Sequence, residues 1–165
     1  MRKRFEQQLR IGQIPVGEIK INPKSTNALE QLIAALKEIY CNTEYNERIF
    51  SILENIFSGR NKNNGRPGMD LWTVFVLSQV RLCLNCSYDM LHHQANNDYL
   101  LRCLLGVECS ISEFGRVEFE YQQVYDNVSL LTNDMLSELN DIIVEFGHKQ
   151  VFKKKRKNSI ALKNR

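Results

Sequence analysis

Residues 71–84, LWTVFVLSQVRLCL, are apolar around most of a helix circumference. A helix of that kind has no face to show to water, so the rest of the chain must be built around it. Asp70 stands where an N-cap belongs, and Asn85 tolerates the left-handed conformation that ends a helix. The run is too short to cross a bilayer and is interrupted by Gln79 and Arg81. A buried central helix is therefore expected, with no membrane partner.

The flanking segments read as further helices. Asn27 can cap a helix whose stripe is Leu29, Leu32, Ile33, Leu36, Ile39 and Tyr40, with Glu30 reaching back to it. A second helix begins near Thr43, presents Tyr45, Ile49, Ile52, Leu53, Ile56 and Phe57, and is closed by Gly59. Two amphipathic helices with so short a link suggest an antiparallel hairpin. Ser87, with Asp89 in the first turn, caps a helix after the central one. Asn96-Asn97 break it, Asp98 opens another, and Gly106 stops that. Residues 107–122 carry a brief alternation at Val117, Phe119 and Tyr121 and favour neither helix nor strand. Thr132 or Asn133 caps a last helix through Phe146, with Gly147 as its stop.

The expected fold is mostly α. A basic arm with a short extended segment occupies 1–24, because IGQIPVGEIKI alternates loosely and contains Pro15 and Gly17. The hairpin spans 25–59, and RNKNNGRPG makes 60–69 a basic linker. A helix-turn-helix-like bundle spans 70–147, and a disordered basic tail spans 148–165.

The net charge of +3 conceals a division. Residues 148–165 hold eight Lys/Arg and no acid; residues 1–147 hold fourteen basic and nineteen acidic residues, a net of −5. A uniformly cationic nucleic-acid binder is excluded, and basic extremities on an acidic body remain.

Three short helices, the first buried, form the skeleton of a helix-turn-helix, in which the later helices turn polar residues toward bases. The outward positions predicted on the two helices after the central one are His92, His93, Asn96, Tyr99 and Arg102. Phosphate contacts would come from Arg2, Lys3 and Arg4 in the arm and from Arg60, Lys62 and Arg66 in the linker. The expected partner is double-stranded DNA. The alternative is a helical interaction or oligomerisation module, in which hairpin 27–58 and helix 133–146 pair with another chain.

Other chemistries find less support. Cys83-x2-Cys86 has zinc-ligand spacing. Cys83 lies in an apolar helix, however, and His92, His93, Cys103 and Cys109 supply no matching second pair, so no metal site is expected. No phosphate-cradling glycine loop and no nucleophile–base pair stands out, so no catalytic residue and no cofactor is expected. The five cysteines suit reduced, buried thiols. MRKRFEQQLR has no apolar stretch behind it and does not read as a signal peptide. A cytoplasmic protein is expected.

With these elements laid out, residues 60–150 resemble the N-terminal domain of bacterial insertion-sequence transposases. The likeness lies in Gly65-Arg66-Pro67 before the apolar helix 71–84, in Ser87-Tyr88-Asp89 opening the next, and in Asn97-Asp98 through Leu105-Gly106. The helix after Thr132, ending at Phe146-Gly147, is similar too. KINPKSTNALEQLIAALKEIY and YDNVSLLTNDML resemble one subgroup. The sequence departs from the pattern at 87–89, usually more charged, and at Cys86, usually aliphatic. The resemblance implies binding to the terminal repeats of a mobile element, as a homodimer or with full-length transposase. It also implies Asp-Asp-Glu chemistry with Mg²⁺ in a ribonuclease-H-like domain beyond Arg165, so that this chain alone is no enzyme.

Overall fold

In a computed structural model, residues 2–5, 13–58, 68–107 and 117–163 are described, with side chains through Gln150 except at 56–58. Asp70 opens the central helix, α3 (Leu71–Leu84), as an N-cap. Its carboxylate accepts the Thr73 N–H at 2.8 Å and the Thr73 hydroxyl at 2.7 Å. Burial pushes the Asp70 carboxyl above its ordinary range, and the Thr73 bonds only partly oppose that. Asn85 ends the helix at φ 46°, ψ 44°, its N–H turned back to Arg81 and Leu82 carbonyls. Every residue from 71 to 80 is buried.

Six further α-helices and one 3-10 turn surround α3 among the described residues, with no strand. They are α1 (Ala28–Tyr40), α2 (Thr43–Ser58), α4 (Tyr88–Asn97), α5 (Tyr99–Leu104), α6 (Tyr121–Val128) and α7 (Asn133–Lys163). The helices α1, α2, α4 and α6 pack directly on α3. Short-range caps account for most starts: Asn27 accepts from Leu29 N, Ser87 from Met90 N and Asp98 from Leu101 N. At α1 the Asn27 N–H donates to Ser25 Oγ at 3.2 Å rather than to the expected Glu30.

Three elements differ from expectation. Where a short extended segment was expected, Val16–Glu18 is a 3-10 turn after Pro15, with Val16 and Ile19 buried against α1. Lys37 Nζ holds the Ile19 carbonyl at 2.8 Å. Helix α6 begins inside the stretch that favours neither helix nor strand, because Tyr121, Val124, Tyr125 and Val128 recur at helical spacing and Val124 and Val128 gain a buried site beside α3 and α4. The 148–165 segment is not a loose tail through 163, because α7 continues past Gly147 to Lys163. Glycine stops a helix by turning left-handed; inside one it only weakens it by about 1 kcal/mol. Gly106, at φ 66°, is the left-handed glycine of the described chain. A Cβ at Gly106 would also collide with the Phe5 ring.

The base of α7 is fastened to α2 by charge. Glu145 accepts from Arg48 and Lys149 at 2.8 Å each and from the Tyr45 hydroxyl at 3.0 Å. These partners, Arg48 first, lower the Glu145 carboxyl from an ordinary 4.5 to about 2. A carboxyl lowered by folding adds stability above its unfolded value and loses it as pH falls toward the folded value. The melting temperature is therefore expected to fall between about pH 4.5 and 2, and Glu145→Gln to flatten that part of the profile. Circular dichroism melts across that range check it. An unchanged profile in the variant would show that the network does not stabilise the fold.

Candidate nucleic-acid interface

The face read as a recognition surface is largely turned inward. A segment running from Val117 to Glu120 lies along α4 and α5 and takes up their polar side chains. Asn96, buried, accepts the Phe119 N–H at 2.9 Å and donates to the Phe119 carbonyl at 3.0 Å, so its amide mimics one rung of a sheet. His92 Nε2 stands 2.8 Å from the same carbonyl. Arg102, expected to face solvent, is 2% exposed, and its Nη2 donates to the Val117 carbonyl at 2.9 Å. These three residues bind the protein to itself. Of the predicted reading residues on these helices, His93 and Tyr99 remain exposed.

The arm is committed in the same way. Arg2 donates to the Met69 carbonyl at 3.0 Å and to Asn127 Oδ1, clasping the start of α3 to α6. The Lys3 carbonyl accepts the Leu71 N–H at 3.0 Å, while its side chain is exposed. Arg4 forks between Glu54, at 2.6 and 3.0 Å, and Glu47, at 2.9 Å. Those bonds push the guanidinium up and hold the Glu54 carboxyl below its ordinary range. Phe5 meets Tyr40 edge-on at 5.9 Å. Residues 2–5 thus strap the fold: the Arg2 and Arg4 guanidinium groups are engaged within the protein, and the Lys3 side chain is exposed. Arg60, Lys62 and Arg66 lie outside the described residues.

The outer side of α4 and α6 carries a ladder of rings that no helical pattern in the sequence marked. Arg81 sits 4.4 Å over Tyr88, Tyr88 meets Tyr125 at 4.8 Å, and Tyr125 stacks on Tyr121 at 6.4 Å. His92 meets Tyr121 edge-on at 6.0 Å. Such rings can stack on bases. Here Asp89, Glu118, Glu120 and Asp126 are all exposed on the same two helices and the segment before α6. Those carboxylates repel phosphate, so the ladder does not supply a nucleic-acid surface.

A second surface feature lies across the molecule. Leu32 of α1, Gln79, Leu82 and Cys83 of α3, and Asn133, Leu136, Ser137, Asn140 and Ile143 of α7 enclose a groove of about 590 Å³. Among the described residues no charged side chain lines it. Gln79 is 4% exposed, and its Nε2 has no hydrogen-bond partner among the described residues. A buried donor left in that state costs about 1–3 kcal/mol.

Cys41, Cys83, Cys86 and Cys103 form no disulfide, and Cys109 lies outside the described residues. Among the described residues no three His, Cys, Asp or Glu side chains converge on a possible metal position. No helix there is long and apolar enough to cross a membrane. No family model, no curated protein and no solved structure matches the chain.

Proposed function

We propose that the chain is the DNA-binding front part of an insertion-sequence transposase, in which the basic continuation of α7 makes the phosphate contacts. Helices α3, α4 and α5 serve as a helix-turn-helix-like scaffold behind the α1–α2 hairpin. The DNA contacts first expected of Arg2, Arg4, Asn96 and Arg102 are not part of this reading, since those side chains are occupied within the protein. Lys3, Tyr99 and His93, together with Arg60, Lys62 and Arg66, remain candidate auxiliary contacts.

The observation that carries the reading is the unbroken course of α7. It places Lys149, Lys153, Lys154, Lys155, Arg156, Lys157 and Lys163 on one helical segment with no acid among them. At 1.5 Å per residue, the run from Lys153 to Lys157 concentrates five cations within about 6 Å of axis. Phosphates recur about every 1.7 Å of duplex axis, so such a helix finds several at once. The body, at −5, adds repulsion rather than affinity, so most of the affinity is assigned to this extension and to the basic linker.

Binding is expected to be electrostatic and steep in salt. Five neutralised phosphates give a slope of log affinity against log salt of about −4 to −5. Changing Lys153 through Lys157 together to glutamine is expected to lower affinity about 100-fold or more at low salt and to flatten that slope. Mobility-shift titrations on duplex DNA at several salt concentrations test it. Absence of binding by the unchanged chain at low salt would refute the proposal. Binding unaffected by the five changes would move the contacts to the linker.

The interaction-module reading is favoured by a different observation, the uncharged groove beside α7. It does not require DNA and is not exclusive of the first.

A further inference from the structure

We infer that the outer face of α4 and α6, centred on Tyr121 and Tyr125, binds an extended basic segment of another protein through two arginines spaced Arg-x-Arg. This inference is independent of the DNA reading.

The chain's own cations show the chemistry. At two other places a ring beside carboxylates holds a cation. Arg4 lies 5.2 Å over Phe50 and pairs with Glu47 and Glu54. Arg48 and Lys149 lie 5.2 and 5.1 Å from the centre of the Tyr45 ring, and both pair with Glu145. The ladder on α4 and α6 has the same ingredients without the cation. Arg81 covers Tyr88 at one end. Among the described residues, no Lys or Arg lies over Tyr121 or Tyr125, and none pairs with Asp89, Glu118 or Asp126. Tyr121 and Tyr125 stand 40% and 42% exposed, so an incoming group can reach them.

The ring contacts place the carboxylates. Tyr88 meets Tyr125 and His92 meets Tyr121, so α4 and α6 run antiparallel along the ladder. Asp89 of α4 and Asp126 of α6 therefore fall at the Tyr125 end, one on each helix. Glu118 falls at the Tyr121 end, three residues before that ring. Residues 88–97 and 117–128 together hold four acids and no Lys or Arg. Such a face attracts a cationic segment and rejects a phosphate backbone.

Spacing selects the form of that segment. The Tyr121 and Tyr125 ring centres are 6.4 Å apart, and their planes lie within 18° of parallel. An extended chain advances about 3.3 Å per residue, so side chains two residues apart leave one face of it about 6.6 Å apart. Two arginines in an Arg-x-Arg segment thus match the two rings. Arginine suits the site better than lysine, because a flat guanidinium stacks on a ring while its N–H groups reach a carboxylate beside it.

Fluorescence anisotropy of the full chain with a labelled Gly-Gly-Arg-Ser-Arg-Gly-Gly peptide, without DNA, tests this. The peptide is expected to bind in a salt-sensitive manner, about fivefold tighter than an Arg-Ser-Ser-Arg peptide of equal charge, whose arginines leave opposite sides of an extended chain. Tyr121→Leu with Tyr125→Leu should weaken binding about tenfold. Asp89→Asn with Asp126→Asn, at exposed positions, should weaken it about fivefold and leave the helical circular dichroism unchanged. Absence of binding by the Arg-Ser-Arg peptide at millimolar concentration overturns the inference. Equal affinity for the two spacings overturns it too, since charge alone would then account for binding. So does binding that neither pair of substitutions alters, which would place the contact elsewhere. A single-stranded oligonucleotide whose binding the tyrosine pair abolishes would also overturn it, by assigning the rings to bases. The peptide readout contains no DNA, so its failure leaves the phosphate-binding proposal standing.

Discussion

Replacing Arg102 by alanine is expected to lower the stability of the folded chain by about 3 kcal/mol, the combined effect of a cavity and a stranded carbonyl. Arg102 is almost wholly buried in α5, and its Nη2 holds the Val117 carbonyl at 2.9 Å. That bond draws the segment before α6 onto α5, as the Asn96 amide draws Phe119 of the same segment onto α4. Arg102→Met keeps most of the stem and loses the guanidinium with its bond to Val117, so about 1–2 kcal/mol is expected there. Urea titration followed by circular dichroism gives both values. The variants should bind DNA as the unchanged chain does under conditions where all are folded. An Arg102→Ala chain with unchanged stability and weakened DNA binding would return this residue to the DNA surface.

Arg102 also shows where sequence reading stops. The helix starts at Asn27, Asp70, Ser87 and Asp98 were legible because a cap is a contact between residues two or three apart. So was the buried α3, whose apolar residues leave no polar face. A helical pattern says which side chains share a face, but not whether a distant segment covers that face. Residues 117–120 cover α4 and α5, and their brief alternation does not say what they cover. Arginine and asparagine are mostly exposed residues, so Arg102 and Asn96 were assigned to solvent. The same assignment misplaced Arg2 and Arg4, whose partners Asn127 and Glu54 lie far along the chain.

Gly147 failed for a different reason. Glycine marks a helix end only where the backbone turns left-handed, and residue type alone does not distinguish Gly147 from Gly106. The consequence reaches function, because the basic charge moves from an unstructured tail onto a helix. The groove was half legible. Leu136, Leu139, Ile142 and Ile143 recur at helical spacing and read as one stripe of the last helix. Only the packing of α7 on α1 and α2 separates Leu139 and Ile142, buried, from Leu136 and Ile143, which pack on the core's edge and line the groove.

Trp72→Ala is expected to remove about 4 kcal/mol, the largest loss from any single side chain of the core. Trp72 is the chain's one tryptophan and is fully buried. Its ring lies 5.0 Å from that of Tyr40 and 5.6 Å from that of Phe75, binding α1 to α3. Its Nε1–H donates to the Leu104 carbonyl at 2.9 Å, binding α3 to the last residue of α5. The two roles separate by substitution. Trp72→Phe keeps much of the ring contact and loses the donor, so about 1–2 kcal/mol is expected, much of it the stranded Leu104 carbonyl. Chemical denaturation followed by far-ultraviolet circular dichroism compares the variants, which lack the fluorophore. The total stability of a domain this size is about 5–15 kcal/mol, so Trp72→Ala should be partly unfolded in mild denaturant where Trp72→Phe is not. Equal losses from the two variants would mean that the hydrogen bond to α5, rather than ring packing on Tyr40 and Phe75, anchors the central helix.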